Sequence, residues 1–436
     1  MTMRQVLLIS VVFVWLAGCQ TLSHGDTESA ADVAGASVSE TSSDSERPSG
    51  DSDNATDVDD FESWIEAFRR EAAREGIDGD VLAAAFDDVQ YRERVVELDR
   101  SQPEFVRPIW EYLDTAVSAT RIEHGRERLA AHRDSAMLAE RRYGVPANVI
   151  VAIWGIESNY GGNFGDISTI DALSTLAYEG RRPDFARGEL MAALRILQRG
   201  DIDRERMRGS WAGAMGHTQF LPSSFERYAV DADDDGRRDI WNSIPDVMAS
   251  TAHYLDEAGW RSGEPWGVEV RLDEGFDYGL AGTETRRSSR NWASAGVHAV
   301  DGGSLPDFEQ ASILVPAGAQ GPAFMVGPNY RAILRYNNAT SYALAVGMLA
   351  RQIEGASGIQ ETWPRHEQPL SRQDVRDMQQ LLNGLGHEAG TPDGILGPNT
   401  RHGLRDFQRR IGEIPDGFAT QRLLERLRDV SGETSQ

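Results

Sequence analysis

The run Asn148-Val149-Ile150-Val151-Ala152-Ile153-Trp154-Gly155-Ile156-Glu157-Ser158 restricts the fold of this chain more than any other segment. At about 100° per residue its apolar side chains cover most of a helix surface, so other elements have to enclose it. Those elements read as helices too. Phe61, Trp64, Ile65, Phe68 and Ala72 recur at helical spacing, and the pattern resumes at Val81, Leu82, Ala85 and Phe86. A helix over 130–142 ends at Tyr143-Gly144-Val145-Pro146, where glycine closes one helix and proline opens the next. The expectation is a mainly α domain around one buried helix. Glu157 stands at the end of that helix. A carboxylate there is costly if charged and unpaired, and burial would raise its pKa to where it can protonate a leaving oxygen near neutral pH. The same glutamate could instead pair with an arginine or be exposed where the helix ends, and periodicity alone does not separate these readings.

With 436 residues the chain has room for two or three domains. Its 69 acidic and 44 basic residues leave a net charge of −25, which repels a phosphate backbone and argues against nucleic acid as a partner. Every basic residue is arginine. An acidic, lysine-free surface suits solubility in high salt or a codon bias toward arginine. Residues 20–60 hold 11 acidic residues and one basic residue, Arg47, with almost nothing large and apolar, so they should form a disordered, self-repelling tether. Residues 1–19 carry Arg4, an apolar run over 6–16 and then Ala17-Gly18-Cys19. That run is too short for a permanent membrane span but has the length of a signal-peptide core. Cys19 is the only cysteine, so no intramolecular disulfide can form. Leu16-Ala17-Gly18-Cys19 resembles the lipobox of bacterial lipoproteins, which implies acylation of Cys19 and a membrane anchor. An ordinary cleaved signal with a chance cysteine is the alternative. Gln20 after the cysteine implies, by the same resemblance, the periplasmic side of the outer membrane.

Three dense motifs follow in order: Glu157-Ser158-Asn159-Tyr160-Gly161, Gly209-Ser210-Trp211-Ala212-Gly213-Ala214-Met215-Gly216 and Thr218-Gln219-Phe220-Leu221-Pro222-Ser223-Ser224-Phe225. With DRSQPEF near Asp99 and PNYRAILRYN near Pro328, they resemble the lytic murein transglycosylase B family over residues 61–355. The resemblance implies a lysozyme-like helical catalytic domain that cleaves peptidoglycan between N-acetylmuramic acid and N-acetylglucosamine. It implies Glu157 as the single acid and base and a 1,6-anhydromuramic acid product. Carried over by motif, Ser210, Gln219, Tyr336, Asn337 and Tyr342 would line the cleft, and Arg181 and Arg182 would meet the lactyl carboxylate or the stem peptide. Asp166 and Asp171, the nearest further carboxylates, read as loop and helix-cap residues.

Asp231-Ala232-Asp233-Asp234-Asp235-Gly236-Arg237 fits the opening of an EF-hand loop, with carboxylates at alternate positions, a glycine for the turn and the Arg237 carbonyl as the next ligand. Asn242 stands where the usual closing glutamate would be, and the family resemblance assigns that role to Asp246. A structural calcium ion is expected, with sodium competing in high salt; an acidic surface turn is the alternative. No cofactor is expected for catalysis.

Residues 356–370, with Pro364 and Pro369, read as a linker. Over 371–430, Val375, Met378, Leu381 and Leu382, then Leu404 and Phe407, then Leu423, Leu424 and Leu427 mark three helices separated by two Asp-Gly turns, Asp393-Gly394 and Asp416-Gly417, a weak internal repeat. This segment resembles the peptidoglycan-binding domain found at the ends of many cell-wall hydrolases. The implied partners are peptidoglycan strands, a membrane through the lipid anchor, and other cell-wall enzymes. Two competing readings keep the fold or the binding alone: a lysozyme-like muramidase that uses water, and a non-catalytic lipoprotein that tethers the wall.

Overall fold

The computed structural model describes residues 53–101 and 107–432. The signal segment, Cys19, most of the acidic stretch and part of the DRSQPEF motif lie outside the described residues. Helix α1 (Asp53–Arg74) begins inside the stretch of 20–60 expected as a tether.

The apolar run forms α7 (Ala147–Ser158), in which every residue but Ile156 is buried. Five helices lead up to it: α2 (Gly79–Phe86), α3 (Glu93–Arg100), α4 (Ile109–Ala116), α5 (Ala119–Ala131) and α6 (Arg133–Tyr143). After it come β1 (Ile167–Ser168), α8 (Thr169–Glu179), α9 (Pro183–Arg199), β2 (Arg208–Gly209), α10 (Pro222–Tyr228) and α11 (Ile244–Glu257). Two cores flank the site. One gathers α7 with Trp110, Leu113, Val247, Leu255, Tyr330, Leu344 and Leu349; the other gathers Phe61, Phe68 and Phe86 with Leu190, Leu194, Phe220 and Phe225. Tyr336 packs against both, so it lies at their seam.

A five-stranded antiparallel sheet, absent from the sequence reading, is inserted between α11 and α13 (Pro328–Tyr336). Its strands β3 (Gly267–Leu272), β4 (Gly282–Arg287), β5 (Val297–Ala299), β6 (Ala311–Leu314) and β7 (Ala323–Val326) run in the order β4-β6-β7-β3-β5, with α12 (Ser289–Ser294) packed on them through Trp292. β6 and β7 are four residues long and buried at every position, so they show no alternation by which a strand could be recognised. Helix α14 (Thr340–Ile353) then returns to α7.

Residues 356–370 are strapped to the catalytic domain rather than spanning freely. The buried Glu269 carboxylate accepts the backbone N–H groups of Gln360 and Glu361, both at 2.8 Å. Trp363 packs beside Trp110 and Phe324, and Arg365 makes two bonds to Asp114, at 2.6 and 2.8 Å. The last module is a bundle of α15 (Arg372–Gly384), α16 (Pro398–Arg410) and α17 (Gln421–Ser431). Its repeat is visible in hydrogen bonds. Gln379 donates to Asp393 Oδ1 and accepts from Gly394 N; Gln408 donates to Asp416 Oδ1 and accepts from Gly417 N. Both glycines have positive φ, +78° and +71°, which the turn requires. The second turn also docks the module, because Asp416 Oδ2 accepts from Ala319 N at 2.9 Å.

Candidate active site

Glu157 lies one residue before the end of α7, and only 7% of its surface is exposed. Tyr342, in the first turn of α14, donates its hydroxyl to Glu157 Oε1 at 2.6 Å. No described residue bonds Oε2. Burial pushes the carboxyl up to about 7, with the Tyr342 hydrogen bond pulling the other way. The group therefore exchanges a proton near neutral pH, as an acid and base must.

A ring of contacts surrounds it. The Tyr342 ring stacks on Tyr336 at 6.5 Å, and the Tyr336 hydroxyl donates to the Thr218 carbonyl at 2.7 Å. The neighbouring His217 carbonyl accepts from Ser158 Oγ at 2.9 Å, which returns the circuit to the residue beside Glu157. Burial and the nearby Glu157 charge hold both tyrosine hydroxyls far above their ordinary pKa, so they remain donors. Backbone strain is concentrated here. Asn159, Tyr160 and Gln219 have φ of 51°, 58° and 51°, conformations that non-glycine residues adopt at a cost of about 1–3 kcal/mol each. Tyr160 can fold back onto α7 because position 155 is glycine: a Cβ there would fall 2.5 Å from Tyr160 Cζ.

The other expected residues divide. Ser210 Oγ accepts from Ala214 N and shapes the turn after β2, while Gln219 donates to the carbonyls of Phe164 and Gly216. Asn337 ends α13 with its Oδ1 buried and unpaired among the described residues. Arg181 is engaged with Asp99, and Arg182 stacks over Phe185 at 4.8 Å at the start of α9. Asp166 is a loop residue, as expected. Asp171 is not the helix cap. Ser168 caps α8, and Asp171 is a buried carboxylate paired with Arg92 and Arg204 at 2.6 and 2.8 Å. Tyr112, which burial and the nearby Glu157 charge raise together, carried no sequence signal of its own, and neither did His217, to which Trp154 donates. An aromatic at helical spacing looks the same in a core as in a cleft.

In the aspartate loop, Asp231, Asp233 and Asp246 place one carboxylate oxygen each within 4.8 Å of the others. Asp235 is outside this group of carboxylates. The Asp235 carboxylate accepts Arg237 N and braces the loop. Asp246 is anchored by Ala232 N and Asp239 N, both at 2.7 Å. Burial pushes it up to about 6, and the charges of Asp233 and Asp231 add to the rise. Three converging hard oxygens with mutual repulsion are a donor set that suits a cation such as calcium.

One buried acid held by a tyrosine, at the seam of two helical cores, is a lysozyme-like arrangement, and comparison with known proteins fixes the class. Residues 60–351 match the transglycosylase SLT domain, and residues 371–427 match a putative peptidoglycan binding domain. The chain belongs to the transglycosylase SLT family. It is similar to SltB3 of Pseudomonas aeruginosa, solved in complex with NAG-anhNAM-pentapeptide, at 51% identity and a TM-score of 0.83, covering 84% of this chain and 99% of that one. It is 36% identical over 225 residues to the membrane-bound lytic murein transglycosylase B of Escherichia coli K12, a match that spans 51% of this chain and 61% of that protein. The Escherichia coli lytic transglycosylase Slt35 in complex with calcium matches at 29% identity and a TM-score of 0.59, over 66% of this chain and 92% of that one.

Proposed function

We propose that the protein is a lytic transglycosylase that cleaves the β-1,4 bond between N-acetylmuramic acid and N-acetylglucosamine in peptidoglycan, with Glu157 as the only acid and base. The observation that carries this reading is the buried Glu157 carboxyl, raised to about 7 and bonded on one oxygen by Tyr342. Protonated Glu157 gives its proton to the glycosidic oxygen as the bond from that oxygen to C1 of the muramic acid breaks. The carboxylate so formed takes a proton from the C6 hydroxyl, whose oxygen bonds to C1. The proton count on Glu157 is restored, no water is consumed, and the product carries a 1,6-anhydro ring. Tyr342 stabilises the carboxylate between the two transfers. Tyr336 offers an apolar face to a sugar ring, and the unpaired Asn337 Oδ1 an acceptor to a hydroxyl or amide.

Asp231, Asp233 and Asp246 would hold a calcium ion, which when bound would offset most of their charge and tie α11 to the loop before it. The calcium complex of Slt35 supports this assignment. Acylation of Cys19 and attachment to the outer membrane are supported by the Leu16-Ala17-Gly18-Cys19 sequence and by the membrane-bound relative.

Digestion of purified sacculi, read by mass spectrometry, tests the reaction. Anhydro ends from the parent protein and a loss of about 10³-fold or more in Glu157→Gln are expected. Products heavier by one water would make it a muramidase. Sacculi bound but left intact by both proteins would make it a tether.

A further inference from the structure

His217 belongs to the ring of contacts around Glu157, yet its side chain has no part in the reaction just described. Its imidazole lies between Trp154, at 5.8 Å and 15° from parallel, and Phe164, at 5.3 Å. Gly161, with φ of +80°, closes a third side so tightly that a Cβ there would collide with His217 Cε1. Trp154 Nε1 donates to His217 Nδ1 at 3.0 Å. An indole N–H can only donate, so Nδ1 carries no proton and the hydrogen of the neutral ring is on Nε2. Nε2 has no acceptor among the described residues and is not one of the buried unpaired atoms, so this N–H reaches solvent.

The backbone around His217 is tied to the residues of the site. Its carbonyl holds Ser158, next to Glu157; the following residue, Thr218, holds Tyr336; and Gln219 bonds the Phe164 carbonyl that flanks the imidazole. Residues 217–219 are therefore built into the scaffold that carries Glu157. Burial pushes the imidazole down to about 4, with Asp239 opposing and Arg128 assisting, so the ring stays neutral where Glu157 exchanges its proton. A fixed, uncharged donor suits an uncharged acceptor.

We propose that the His217 imidazole faces the cleft of Glu157 and that His217 is a further substrate-contacting residue, whose Nε2–H donates to a hydroxyl or acetamido carbonyl oxygen of the glycan strand. The proposal rests on the glycan reading of the cleft. Two substitutions separate contact from support: asparagine can keep an acceptor for Trp154 while losing the Nε2 donor, and glutamine can keep the donor while losing the acceptor.

Binding of a peptide-free tetrasaccharide of alternating N-acetylglucosamine and N-acetylmuramic acid is measured by calorimetry in a Glu157→Gln background, with melting temperatures alongside. The expected result is about tenfold weaker binding for His217→Asn, equal to a lost hydrogen bond of about 1.4 kcal/mol, with the melting temperature held. For His217→Gln, binding should stay within about threefold of the background while the melting temperature falls by a few degrees, roughly 2–6 °C. Undiminished binding by His217→Asn would overturn the assignment, as would equal losses of binding and melting temperature in both variants. A Glu157→Gln protein that does not bind the tetrasaccharide at all would instead remove the glycan reading on which the assignment stands.

Discussion

Tyr342 reaches Glu157 across 185 positions of sequence, and the bond it makes acts on the proton both residues use. The sign of its effect is definite. A hydroxyl donated to the carboxylate favours the charged form, so Tyr342 lowers a pKa that burial has raised. Tyr342→Phe should raise the pKa of Glu157 further, and because the first step needs the protonated acid, the falling alkaline limb of the rate profile should move up by about 1 pH unit. The rate at the optimum should drop about tenfold, since the carboxylate formed in mid-reaction loses its donor. Rates on sacculi from pH 5 to 9 check both effects; an unmoved limb would mean another group titrates. Glu157 stands out in the sequence as a lone acid at the end of an apolar helix, but its role came from motif likeness, because periodicity left the acid and the paired or exposed readings unseparated. Its tyrosine partner could not be read from spacing, and Tyr336, Asn337 and Tyr342 came only from motif likeness. For Arg181 and Arg182, too, spacing does not show the neighbours they meet, Asp99 and Phe185.

The aspartate loop shows how one element can be partly legible. Alternating aspartates with a glycine announce a turn that gathers oxygens, but which oxygens converge depends on how α11 is placed against the loop. Asp246 joins Asp231 and Asp233 from the first turn of that helix, whereas Asp235 braces the loop backbone. Millimolar calcium should raise the melting temperature by several degrees, roughly 3–8 °C, through binding to the folded state alone. Asp233 bonds Ser243 Oγ and is exposed, so Asp233→Asn should abolish most of that shift while changing the calcium-free melting temperature little. Calorimetry with and without a chelator decides; an undiminished shift in the variant would place the ion elsewhere. The sheet of β3 to β7 marks the opposite extreme. Its strands β6 and β7 carry no alternation, and the pairing joins segments as far apart as Gly267 and Val326.

At the scale of the whole molecule, the segment between the modules is a strap, and this sets the catalytic domain and the three-helix module in one arrangement. Asp416, the acid of the second Asp-Gly turn, is used twice, once to close its own turn and once to hold Ala319. Arg405 adds a bond to the Ala281 carbonyl. Glu269→Ala should release the strap by leaving the N–H groups of Gln360 and Glu361 unpaired, a loss of about 1–3 kcal/mol felt locally. Because the chain has no lysine, trypsin cuts only after arginine, and Arg365 lies in the strap. Cleavage after Arg365 under native conditions should become about tenfold faster in the variant, as followed by fragment masses. Unchanged cleavage would mean that Trp363 and the Arg365 pair with Asp114 hold the segment without Glu269.

The sequence by itself determined the elements that announce themselves through anomaly or period: an enclosed helix ending in a lone acid, a run of alternating aspartates, three amphipathic helices at the end, and the acidic N-terminal stretch. Each depends on residues close together in the chain, where spacing alone dictates which side chains share a face. Tertiary structure decided what those residues meet. It placed Tyr342 on Glu157, chose Asp246 over Asp235 for the carboxylate cluster, spent Arg181 on Asp99, turned the linker into a strap and left one N–H of His217 open. These are contacts between residues tens to hundreds of positions apart, and they exist only where the packing of the two cores brings the chain back on itself.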